Sequence, residues 1–154
     1  MNAGLDVRPS PIAGQWYTAD PQRLADSIDQ YLNEAVLPTW EGEVMGVMAP
    51  HAGHLYSGHV AGYAFAALRG MQPDVVAVVS PMHYPYAQRL LTSAHSAYQT
   101  PLGMIEIDRE LVQHLDDIVQ RQTGVNLAAI RKDPEHSLEI ELPFLQRALT
   151  GEFR

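Results

Sequence analysis

Two apolar runs set the frame of the chain. Residues 44–49 and 75–79 are nearly unbroken stretches of Val, Met and Ala. They are too short for independent helices, and the second is rich in β-branched side chains, the pattern of strands buried on both faces. Each run ends in a proline and then a histidine: Pro50-His51, and Pro81-Met82-His83. Between them, Ala61, Ala64, Phe65 and Leu68 recur at helical spacing, and Ser57 is a good N-cap for a helix from Gly58. A strand–helix–strand crossover within one sheet is parallel and right-handed. His51 and His83 are therefore expected on one sheet edge, at the carboxyl ends of strands spaced about 4.8 Å apart. Two imidazoles brought together in this way suit a mononuclear metal site.

The rest of the chain reads around this unit. Asp20-Pro21 opens a helix with a favoured cap and first residue, and Leu24, Ile28, Tyr31 and Leu32 give it one apolar face ending near residues 33–35. Residues 88–93 read as a strand, 98–103 as a loop and turn, and 104–107 as a short strand. Asp108 caps a helix through about Val119 with Leu111, Leu115 and Ile118 expected inside, and Gly124 closes it. Residues 128–133 form a connector or short strand. Ser137 is expected to cap a last helix kinked at Pro143. The fold class that follows is α/β, three layers with a mainly parallel sheet.

Composition narrows the partners. The chain has 154 residues, 46% hydrophobic and 18% charged, a single domain's worth. Its net charge of −8, with no Lys/Arg cluster, argues against nucleic acid or an anionic membrane as partner. There is no cysteine, so neither a disulfide nor a thiolate ligand arises within these residues. The first residues lack the pattern of a signal peptide, and no apolar run approaches the ~20 residues that span a bilayer. A cytoplasmic protein is expected.

Seven histidines are present, and most call for no functional account. His95 and His114 are expected on the surface, His59 reads as structural, and His54 as a neutral choice, a pocket donor or a third nitrogen. The second polar cluster is Glu135, His136, Glu139 and Glu141. His136 and Glu139 would share a helix face. A carboxylate there could orient a ligating imidazole, or the acids could merely favour a helix start. Trp16, by residue type, pins the N-terminal arm to the core.

Ala13-Gly14-Gln15-Trp16-Tyr17, Ala49-Pro50-His51-Ala52-Gly53, Tyr56-Ser57-Gly58, Ser80-Pro81-Met82-His83, Thr100-Pro101-Leu102-Gly103 and Glu135-His136-Ser137-Leu138-Glu139 with Leu142-Pro143 together resemble the Memo family, also called AmmeMemoRadiSam system protein B. That family is similar to class III extradiol dioxygenases, which use a non-haem iron. The resemblance implies that His51 and His83 are metal ligands, with iron(II) the expected metal and copper or zinc open. It implies a third ligand supplied by a following half, so these residues read as the N-terminal half of a longer Memo-like α/β domain. It also implies that the Trp16 stretch lies near the metal cleft. His136 is the candidate acid–base group. A metal-dependent oxidoreductase of dioxygenase-like chemistry is the first expectation. A non-catalytic protein that retains the cleft for a peptide or small molecule is the second, and hydrolytic use of zinc the third. Unpaired sheet edges would favour a homo-oligomer.

Overall fold

The computed structural model describes residues 6–154. The reading of the extreme N-terminus as lacking a signal peptide falls on residues 1–5, outside the described residues.

Helix α1 (Pro21–Glu34) forms as its sequence dictates. The Asp20 carboxylate accepts the Arg23 amide at 2.8 Å, and Leu24, Ile28 and Leu32 are fully buried. Helix α2 (His54–Ala66) packs against it. Close approach is possible because Gly58 and Gly62 face Tyr31: a Cβ at Gly62 would come within 2.6 Å of the Tyr31 carbonyl oxygen. Helix α4 (Leu142–Ala148), entered through a 3-10 turn at Glu139–Glu141, completes this half of the core. Phe144 is its centre, stacked on Phe65 with ring centroids 5.0 Å apart.

The fold is α/β with mostly parallel pairing. Strand β1 (Val7–Arg8) runs parallel to β3 (Ala97–Thr100), and β3 pairs antiparallel with β4 (Gly103–Glu106). Strand β2 (Leu90–Ser93) pairs parallel with β5 (Leu127–Ile130). Helix α3 (Arg109–Thr123) connects β4 to β5, capped by Asp108 and closed by Gly124 in the left-handed region at φ 72°.

Several expectations need correction. Residues 44–49 and 75–79 are not ladder strands. No strand lies beside either run among the described residues, so Met45, Met48 and Val79 are almost fully exposed. The two runs instead wall an apolar groove of about 510 Å³, floored by Phe65, Leu68, Leu145 and Leu149. Helix α2 starts four residues earlier than Ser57 would dictate. Its N-cap is Gly53, and the Ser57 hydroxyl donates to the Ala52 carbonyl. Residues 98–100 belong to β3, where Tyr98 and Thr100 are buried, so only the end of the expected loop is a turn. Leu111 and Leu115 are exposed and Ile118 half-buried, because no second layer covers that face of α3 among the described residues. Pro143 does not kink a helix. It stands in the first turn of α4, where its missing N–H is harmless. No helix among the described residues is long and apolar enough to cross a membrane.

Candidate metal centre

The Pro50-His51 and Pro81-Met82-His83 segments meet although the apolar runs before them form no strands. The His51 and His83 ring centroids are 5.2 Å apart. A third imidazole joins them: His136 lies 4.8 Å from His83 and 6.0 Å from His51, centroid to centroid. The three line one open cleft of about 520 Å³ with Trp16, Pro50 and Ala52.

Glu135 ties this cluster together. Its carboxylate is buried and accepts the His83 amide at 2.6 Å, the His83 Nδ1 at 2.9 Å, the His136 amide at 3.0 Å and the Ser137 amide at 2.9 Å. Burial alone would raise this carboxyl, but the hydrogen bonds from His83 and Ser137 outweigh it and hold the group at about 2. The Ser137 hydroxyl donates to the Pro81 carbonyl at 2.6 Å, so two side chains staple the same pair of turns. His136 is pushed below the ordinary imidazole range, first by desolvation and also by His83 and His51, which outweigh the opposing pull of Glu135. The shift favours the neutral form, the one in which an imidazole ligates a metal.

Imidazole nitrogens around an open cleft, backed by a buried carboxylate, fit a divalent transition metal. Ligand atoms of His83, Glu135 and His136 all lie within 4.8 Å of one another, a spacing that could hold an ion.

The other candidates go elsewhere. Glu139 is fully buried, away from His136, and accepts Arg8 Nη1, the Ser10 hydroxyl and the Tyr17 hydroxyl. Arg8 also donates to Asp133, making a buried network that ties β1 to the loop before Glu135. Burial pushes the Tyr17 phenol well above its ordinary range. His54 is buried against Phe144 in an edge-on contact, with Nε2 3.1 Å from the Ile140 carbonyl oxygen. Its role is structural, and desolvation lowers its pKa. His95 is buried rather than on the surface, because Asp6 and the Arg131 carbonyl take its two ring nitrogens. His114 and His59 are exposed. Trp16 does not pin the arm in the core. It is 37% exposed and stacks on His136, centroids 3.8 Å apart. The central place of Glu135 was not legible from its spacing, since the residue it orients lies 52 positions away.

The family description "Memo-like protein" matches residues 8–154. The chain belongs to the Memo-like family. Among the relatives of this Memo-like chain, a MEMO1 family protein of Pyrobaculum aerophilum is 34% identical over 149 residues, covering 92% of the chain and 52% of the relative. One from Methanopyrus kandleri is 35% identical over 158 residues, covering 96% and 54%. A fission yeast (Schizosaccharomyces pombe) member is 32% identical over 139 residues, covering 90% and 43%. The chain thus spans about half the length of the curated relatives it matches.

Proposed function

We propose that this Memo-like chain contributes the histidine side of a metal-dependent oxidoreductase centre with dioxygenase-like chemistry. The observation that carries the reading is the convergence of His51, His83 and His136 on one open cleft. His51 and His83 would hold the metal. His136, its pKa lowered by desolvation and its ring stacked under Trp16, would take or give a proton at its ring nitrogen, or serve as a further nitrogen donor. Iron(II), when bound, would supply open positions for dioxygen and a chelating substrate. The protein's own part is to aim the His83 imidazole through Glu135 and to offer Trp16 as one aromatic wall.

The test is metal analysis after anaerobic purification, with iron(II), copper and zinc offered in turn and oxygen uptake recorded. Stoichiometric iron with oxygen uptake, both lost in His51→Ala and His83→Ala, supports the reading. Zinc alone with ester or amide hydrolysis would replace it with a hydrolytic one.

A second reading is a non-catalytic protein whose cleft receives a peptide or small molecule. The exposed face of Trp16 beside an open cleft favours it. Tight ligand binding that persists after metal removal would select it.

A further inference from the structure

We propose that Glu135 is a positioning residue: it fixes the His83 imidazole with its proton on Nδ1, so that the Nε2 lone pair faces the cleft. The inference rests on the metal-centre reading for its purpose, though not for its geometry.

The argument begins with what an ionised carboxylate can do. It has no proton to give, so every close polar neighbour must donate to it. The Nδ1 of His83 is 2.9 Å from Glu135 Oε1. A lone pair facing that oxygen at such a distance would be repelled, so the Nδ1 position carries the proton. A neutral imidazole has one proton to place, and Nε2 is left as the acceptor or ligand. This is the tautomer a free imidazole disfavours, so the protein must enforce it.

The surroundings hold the carboxylate where it can do so. Three backbone amides, of His83, His136 and Ser137, donate to its two oxygens. One comes from the turn it orients and two from its own turn. The side chain is 4% exposed, so water does not compete for it. The Ser137 hydroxyl bond to the Pro81 carbonyl keeps the two turns at a fixed separation. His136 is tied to the same carboxylate through its backbone amide, while its Nδ1 stands 3.2 Å from Oε1 without hydrogen-bond geometry.

The same bonds argue against Glu135 as a ligand. Both oxygens are already engaged by donors, and a metal would have to displace them. A buried carboxylate behind a ligating histidine is the usual outer partner of a metal site, and its loss weakens metal affinity by roughly 10–100-fold.

The experiment uses the chain labelled with ¹⁵N-histidine. Long-range ¹H–¹⁵N correlation spectra are recorded at pH 8 without metal, and His83→Gln identifies the His83 signals. Expected is an Nδ1-protonated His83 in the parent chain. That population should fall in Glu135→Ala, and also in Glu135→Gln, where an amide nitrogen replaces one acceptor. The Gln variant keeps the volume and carries the test if circular dichroism shows that the Ala variant is unfolded. Zinc affinity, measured by competition with a chromophoric chelator, should drop roughly 10–100-fold in parallel. A parent chain with His83 protonated on Nε2, or a tautomer unmoved in both variants, overturns the proposal. So does abolition of zinc binding in Glu135→Gln with the tautomer intact, which would make Glu135 a ligand. An Nδ1-protonated parent chain whose tautomer moves in the variants as expected, but which binds no metal, supports the positioning role and refutes the metal-centre reading instead.

Discussion

Trp16 lies flat on His136, ring centroids 3.8 Å apart and planes 28° from parallel. The contact roofs one imidazole of the cleft and leaves much of the indole in solvent. We expect Trp16→Ala to change stability by no more than about 0.5 kcal/mol, as for a largely surface position. The rate at which diethyl pyrocarbonate modifies His136, followed by mass spectrometry, should rise. An unchanged rate would mean that the indole does not shield the ring.

The buried ion pair of Arg8 with Glu139 should be costly to break from one side. Arg8→Ala leaves the Glu139 carboxylate fully buried with only hydroxyl donors. A loss of about 3–5 kcal/mol is expected from an uncompensated buried charge. Pairing Arg8→Met with Glu139→Gln should recover much of it. Urea denaturation of the single and double variants measures the difference.

Gly62→Ala should destabilise, against the ordinary gain of about 0.5–1 kcal/mol for Gly→Ala inside a helix. The new Cβ would meet the Tyr31 backbone at 2.6–2.8 Å, and backbone cannot swing aside. Forcing α1 from α2 should cost about 1–3 kcal/mol. Gly58→Ala meets only the Tyr31 ring, which can turn, so its cost should be smaller. Thermal melts of the two variants check the order.

Glu141 gives stability a pH dependence opposite in sign to that of an ordinary salt-bridged acid. Burial raises its carboxyl to about 7, and Oε2 has no hydrogen-bond partner among the described residues. The folded state therefore binds a proton that the unfolded state releases above its usual value of 4.5. The penalty is absent below that value, grows as pH rises towards 7, and is constant above. Glu141→Gln should be more stable than the parent by about 1–3 kcal/mol at pH 8, with little difference at pH 4.5. His54 acts in the other direction. Its lowered pKa removes stability as pH falls below 6.5, so the comparison must be made between variants at each pH.

Helix α1 was legible because every local signal agrees: Asp20 caps, Pro21 starts, and Leu24, Ile28 and Leu32 keep one face. The meeting of His51 and His83 was legible because each follows a proline turn at the end of an apolar run. The strand state of those runs was not, because a ladder needs a neighbour that periodicity cannot supply. Arg8 was opaque for a similar reason. A single arginine in a proline-rich arm has no period, and its partners lie 125–131 residues away. Glu135 was visible as an acid beside a histidine, but the aim of a loop side chain is set by tertiary packing.

The unladdered runs have a consequence for amide hydrogen exchange. Apart from Val76, which donates to the Arg154 carbonyl, the amides of residues 44–49 and 75–79 have no backbone acceptor among the described residues. They should exchange with solvent deuterium far faster than the interior of α1, whose amides are held by a packed helix. His51 and His83 therefore follow backbone with few protecting hydrogen bonds. His83 is fastened from the side by Glu135 and by the Ser137–Pro81 bond. His51 has no hydrogen-bonded side-chain tie among the described residues. On a slow exchange timescale the cleft has one fixed jaw and one free jaw, and an ion or ligand joining them would register as protection spreading into residues 44–51.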